Sequence, residues 1–130
     1  MKSLSSSELE LMEYIWKLEK SFLNDLISAF PEPRPAKTTV ATLLKRMQDK
    51  AYVGYNVFGN SRQYFPLVEK EDYFADYFKS IVFQHFNDSF LEFGLFLFKN
   101  PNLNQAELEE IKESLDFEIN KNKSKEAVFY

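Results

Sequence analysis

The chain has 130 residues, the size of one domain or one small domain with an appendage, and 45% of them are hydrophobic and 17% aromatic. It has no cysteine, which excludes disulfides, thiolate metal sites and a cysteine nucleophile and fits a reducing cytoplasm. The net charge of −4 hides a segregation: residues 1–70 carry ten Lys/Arg against eight Asp/Glu, residues 71–130 six against twelve.

The opening MKSLSSSELELMEYIW has no unbroken apolar run, so no signal peptide is expected. "SSSE" at 5–8 reads as a capping box, and Leu11, Ile15, Leu18 and Phe22 follow at helical spacing, with Met12 and Trp16 widening the face. A short second helix is expected over 23–30, with Asn24 as N-cap and Pro31, Pro33 and Pro35 ending it. The third helix is AKTTVATLLKRMQDK, 36–50. Val40, Leu43, Leu44 and Met47 form its buried stripe. At 100° per residue, Thr38, Thr42, Lys45 and Asp49 point the opposite way, with Lys37, Thr39 and Arg46 near the flanks. Small hydroxyls and backbone N–H groups at a helix start suit phosphate, and small side chains let a helix enter a groove. From Pro33 to Pro66 six cations (Arg34, Lys37, Lys45, Arg46, Lys50, Arg62) face one acid, Asp49. That local balance matters more to nucleic acid than the total, although an ordinary solvated surface reads the same way.

Next, 52–58 is strand-like, "GNS" at 59–61 is turn chemistry, and 63–68 is a returning strand. Three helices and then a hairpin is the order of a winged helix, whose third helix enters the major groove. The fold class is therefore mainly α with a small β-hairpin: a winged helix-turn-helix over 1–69 and a helical region over 70–130. Residues 71–98 hold eight phenylalanines and two tyrosines. Charged and polar residues interrupt this stretch, so it is not a membrane span. It either packs within the chain or wants a partner, with Tyr77, Phe83, Phe86, Phe90, Phe93 and Leu97 as candidate anchors between two copies. Gly94 either permits close helix approach or marks a break. A late helix starts at the N-cap Asn104, with Glu107 completing its capping box, and 120–130 reads as a frayed tail.

No catalytic, cofactor or metal constellation is present in this reading. The three glycines form no phosphate loop, and His85, the one histidine, has no companion ligand. The carboxylate pairs sit on polar helix faces or at a helix start.

"LELMEYIW" (9–16), "TTVATLLKRMQDKAY" (38–52) and "YFPLVEKEDY" (64–73), in this order and spacing, resemble the penicillinase-repressor (BlaI/MecI-type) transcription factors. The likeness extends to "LNQAELEEIKESL". It implies a cytoplasmic, homodimeric repressor of an antibiotic-resistance type, binding double-stranded operator dyads through a winged helix. It further implies release by proteolysis in the C-terminal region under a membrane metallopeptidase sensor. The outward face and flanks of the third helix make Thr38, Thr39, Thr42, Lys45 and Arg46 the candidate groove contacts of such a repressor, with Lys37 and Arg62 on phosphates. Three positions depart from the pattern. Asn60 stands where the wing usually has Arg after the turn glycine, and Lys50–Ala51 replaces "KG". The usual Asn-Phe cleavage pair is absent; Phe96–Leu97 aligns with it and is the candidate cleavage site. The lack of cysteine argues against the copper-responsive branch. The alternative is an interaction module that keeps the winged-helix fold, no longer binds DNA and acts through its aromatic helix.

Overall fold

The computed structural model describes residues 2–100 and 102–128. The elements in chain order are α1 (Ser6–Leu18), β1 (Ser21–Phe22), α2 (Leu23–Ala29), α3 (Lys37–Asp49), β2 (Val53–Phe58), β3 (Ser61–Pro66), α4 (Lys70–His85), α5 (Phe90–Phe98) and α6 (Gln105–Val128). They form two compact units, Met1–Ser80 and Ile81–Tyr130.

The first unit is a winged helix. Ser5 caps α1 as expected: its hydroxyl accepts the Glu8 N–H while Glu8 Oε1 accepts the Ser5 N–H. The helix stops sooner than its apolar stripe suggests. Glu19 takes φ 65°, so Leu18 is left 40% exposed and Phe22 falls in β1 instead of on the helix. That two-residue strand is absent from the sequence reading. It pairs with β3 through Ser21–Tyr64 and Phe22–Gln63, which makes the hairpin a three-stranded antiparallel sheet ordered β1-β3-β2. Asn24 is not the N-cap of α2; it lies inside the first turn. Phe22 holds the cap position, and its N–H donates to Asp25 Oδ2 at 2.8 Å.

The core joins Leu11, Met12 and Ile15 of α1, Leu26 of α2, and Val40, Leu43, Leu44 and Met47 of α3. All are at most 9% exposed. The expected stripe of α3 is the stripe it buries. The strands β2 and β3 meet at Gly59 (φ 61°) and Asn60, the two residues between Phe58 and its partner Ser61. Gly54 is required by a close approach, since a Cβ there would lie 2.9 Å from the Phe65 ring.

The unit extends past 69 because aromatic residues of α4 complete it. Tyr73 is 3% exposed, with its ring 5.6 Å from Tyr52 and 6.0 Å from Trp16. Trp16 Nε1 donates to the Val68 carbonyl at 2.8 Å, which fixes the link into α4.

In the second unit the long aromatic stretch is broken at Asn87 and Asp88 (φ 52° and 55°), and not at Gly94, which stands within α5. Ser89 then caps α5 by accepting the Glu92 N–H at 3.1 Å. Asn104 and Glu107 form the expected reciprocal cap of α6. The expected frayed tail is corrected: α6 continues to Val128. Its alternating lysines and small polar residues are compatible with a solvated helix. Pro101, Phe129 and Tyr130 lie outside the described residues.

The end of α3 carries a strained position. The Ala51 N–H donates to Gln48 O and the Tyr52 N–H to Met47 O, both at 2.9 Å, which is a Schellman motif. Ala51 is at its left-handed residue, φ 64°, where glycine is favoured. Ala51→Gly is expected to stabilise the protein by about 1 kcal/mol, read as a raised urea midpoint with unchanged slope.

Candidate nucleic-acid interface

Helix α3 begins without a side-chain cap, because Ala36 occupies the N-cap. The Thr39 and Val40 N–H groups both reach Ala36 O, at 3.0 and 3.2 Å. Those of Lys37 and Thr38 have no partner among the described residues. Two free donors at the positive end of a 13-residue helix favour an anion there.

Thr38, Thr42, Lys45 and Arg46 are all exposed. Thr42 Oγ1 donates to Thr38 O at 2.9 Å. Its hydroxyl proton is thus turned to the backbone, and the side chain presents its methyl and an acceptor outward. Lys45 Nζ pairs with Asp49 at 3.0 Å, but both side chains are mostly exposed, so this i,i+4 pair is worth only about 0.5 kcal/mol and yields readily to a phosphate. Arg46 has no ion pair among the described residues. Thr39 is exposed at the flank of this face and also lines a groove with Phe30, Pro33, Leu43 and Glu10.

Lys37 and Arg62 are distant in sequence and come together. Both line a cleft of about 350 Å³ with Phe22, Leu23, Asn24, Asn60, Ser61 and Tyr64. No carboxylate is among these residues. The Arg62 guanidinium lies 4.3 Å from the centre of the Tyr55 ring, which orients it without neutralising it. The polar wall of Asn24, Asn60 and Ser61 was missed from sequence, because it depends on the short β1 that draws the start of α2 to the wing and leaves no local signal.

Lys50 belongs to the basic stretch but not to this surface. Its Nζ donates to Glu8 Oε1 at 2.8 Å and to Ser3 O at 3.1 Å. Burial pushes the Glu8 carboxyl up, but the Lys50 and Ser5 hydrogen bonds and the Lys50 charge outweigh it, and the group titrates below its ordinary value. The pair fastens the end of α3 to the start of α1.

With this geometry in view, the comparisons with known proteins decide the family. The penicillinase repressor family matches residues 4–117. The chain belongs to the penicillinase-repressor family. It is 25% identical over 114 residues to the methicillin resistance regulatory protein MecI of Staphylococcus aureus, covering 87% of this chain and 93% of that protein. It is 27% identical over 124 residues to the penicillinase repressor of Bacillus licheniformis, covering 95% of each. The solved DNA-binding domain of the repressor BlaI is 28% identical, covering 56% of this chain and 94% of that one with a TM-score of 0.49. The chain is therefore a DNA-binding transcriptional repressor of a non-enzymatic family. Among the described residues of the repressor, no helix is long and apolar enough to cross a membrane.

Lys50→Met would leave the Glu8 carboxylate buried without its partner. The repressor is expected to lose about 2 kcal/mol, below the full cost of breaking a buried pair because Lys50 is partly exposed. A depressed carboxylate pKa contributes stability above its unfolded value, and this is lost as pH falls through the folded one. Wild type should therefore lose stability below the ordinary glutamate range, and Lys50→Met should lose less over the same interval, in urea titrations across acid pH.

Proposed function

We propose that the repressor binds operator dyads in double-stranded DNA as a cytoplasmic homodimer. Proteolysis in its C-terminal unit, governed by a membrane metallopeptidase sensor, then releases it. The observation that carries the DNA reading is the junction of α3 and the wing: an uncapped helix start, exposed Thr38, Thr42, Lys45 and Arg46, and a carboxylate-free cleft shared by Lys37 and Arg62. In this reading Thr38, Thr42, Lys45 and Arg46 face base edges or flanking phosphates, Lys37 and Arg62 hold phosphates, and Thr39 contributes at the flank.

Dimerisation is supported by apolar surface that stays exposed among the described residues. Helix α5 has no buried residue. Phe83 is 68% exposed and Phe90 59%. Tyr77 and Leu97 are also exposed, whereas Phe86 and Phe93 are half-buried, with rings 5.2 Å apart. Two such surfaces placed together would anchor the pair through aromatic side chains. Joining two winged helices raises avidity by about 10² to 10⁴ through effective concentration, which is what a cut in the C-terminal unit removes. Phe96 and Leu97 lie in the last turn of α5, which ends at Phe98. A protease needs that turn to fray before it can reach the bond.

Lys45→Ala and Arg46→Ala are each expected to weaken binding to DNA from upstream of the repressor's own gene. A lost base contact costs about 1–3 kcal/mol, and a lost phosphate contact lowers the salt slope by about one. Gel shifts over a salt series measure both; wild-type behaviour in both variants would mean that α3 is not the reader. Sedimentation should give a dimer at micromolar concentration, and a monomer there would remove the dimer reading. Mass spectrometry of repressor fragments from induced native cells should find a cut between Phe96 and Leu97. Intact chain through full derepression would point to another release route.

A further inference from the structure

The wing ends in apolar side chains. Val57 is 64% exposed and Phe58 56%, immediately before the Gly59–Asn60 turn. Arg62 is the only cation in the hairpin, and it already lies over Tyr55. A wing that merely lay along the phosphates would gain from cations at its tip and would lose by exposing a phenylalanine to water.

The neighbouring surface indicates what covers Phe58. Phe58 pairs in register with Ser61, and Ser61 lines the cleft that holds Lys37 and Arg62. The apolar tip thus adjoins, through Ser61 and Phe22, a cleft lined by Lys37 and Arg62 with no carboxylate, a surface complementary to a polyanion. The Phe58 ring also packs edge-on to Phe22, at 6.3 Å between centroids, so it is held from one side while more than half of it stays in solvent. A supported, projecting aromatic next to a cleft lined by Lys37 and Arg62 has the form of a side chain that touches sugar or base edges in a groove.

We infer that Phe58 is a DNA-contacting residue of the wing, entering a groove of the duplex as an apolar contact beside the phosphates held by Lys37 and Arg62. This rests on the DNA reading above. It gives the wing a role that depends on groove shape and apolar edges, with little dependence on salt.

The test uses the full-length repressor and a fluorescent duplex from upstream of its own gene, titrated across a salt series. Phe58→Ala should weaken binding about tenfold at every salt concentration and leave the salt slope unchanged, while Arg62→Ala should lower the slope. Phe58→Leu, which keeps an apolar tip, should bind more tightly than Phe58→Ala. Phe58→Lys should steepen the slope without regaining wild-type affinity at physiological salt. Circular dichroism and the thermal midpoint of each variant check that the wing still folds; Phe58→Leu bears the comparison if Phe58→Ala does not. Wild-type affinity in Phe58→Ala, or tighter binding by Phe58→Lys at physiological salt, would overturn the inference. So would a Phe58→Ala effect confined to self-association in sedimentation, which would assign the tip to a second copy. Failure of the underlying DNA reading looks different: wild type itself would not bind the duplex.

Discussion

Val40, Leu43, Leu44 and Met47 are buried together against α1 and α2, and a helix that buries one stripe has no freedom left to rotate. That burial sets which residues of α3 face outward and where the helix begins. It also fixes the direction in which the uncapped N–H groups point. Both ends of α3 are then secured by different means. At its start, the proline-rich connection delivers Ala36 in extended backbone. At its end, the Schellman turn places Tyr52 in the core, and Lys50 reaches back to Glu8. The outward surface of α3 is held in place because its underside and both ends are fixed.

The charge of the chain is sorted by this packing. Of the six cations between Pro33 and Pro66, Lys50 is committed to a buried carboxylate and Arg34 lies 3.6 Å from Glu32. Lys45 is held only by an exposed partner, and Lys37 and Arg46 have none among the described residues. An acidic protein can thus carry a locally cationic surface, because its acids are concentrated after residue 70 and its one acid in the basic stretch is solvated.

The helical parts of the fold were legible wherever local chemistry dictated them. The caps at Ser5 and Asn104 and the buried stripe of α3 depend on residues three or four apart, and all appear as read. The parts that sequence did not disclose depend on distant partners. A strand of two residues has no periodicity, and Ser21–Phe22 exists only because Tyr64 and Gln63 lie beside it. The early end of α1 puts Glu19 at positive φ, which propensity argues against, whereas the break at Asn87–Asp88 uses the two non-glycine residue types that most readily adopt it. Within the candidate interface, the exposed residues of α3 could be named from their spacing. The meeting of Lys37 with Arg62, and the diversion of Lys50 to Glu8, required the tertiary fold.

Helix α5 spans nine residues, none of them buried. In water, a free helix of that length is marginal even with good helix formers. Where such a helix gains its order from a covering surface, folding couples to mass action: its helical population rises with the free concentration of that surface and falls on dilution. The first unit carries its own core and is free of that dependence. One chain therefore joins a winged helix that carries its own core to a segment whose order would report how much of any such cover is present.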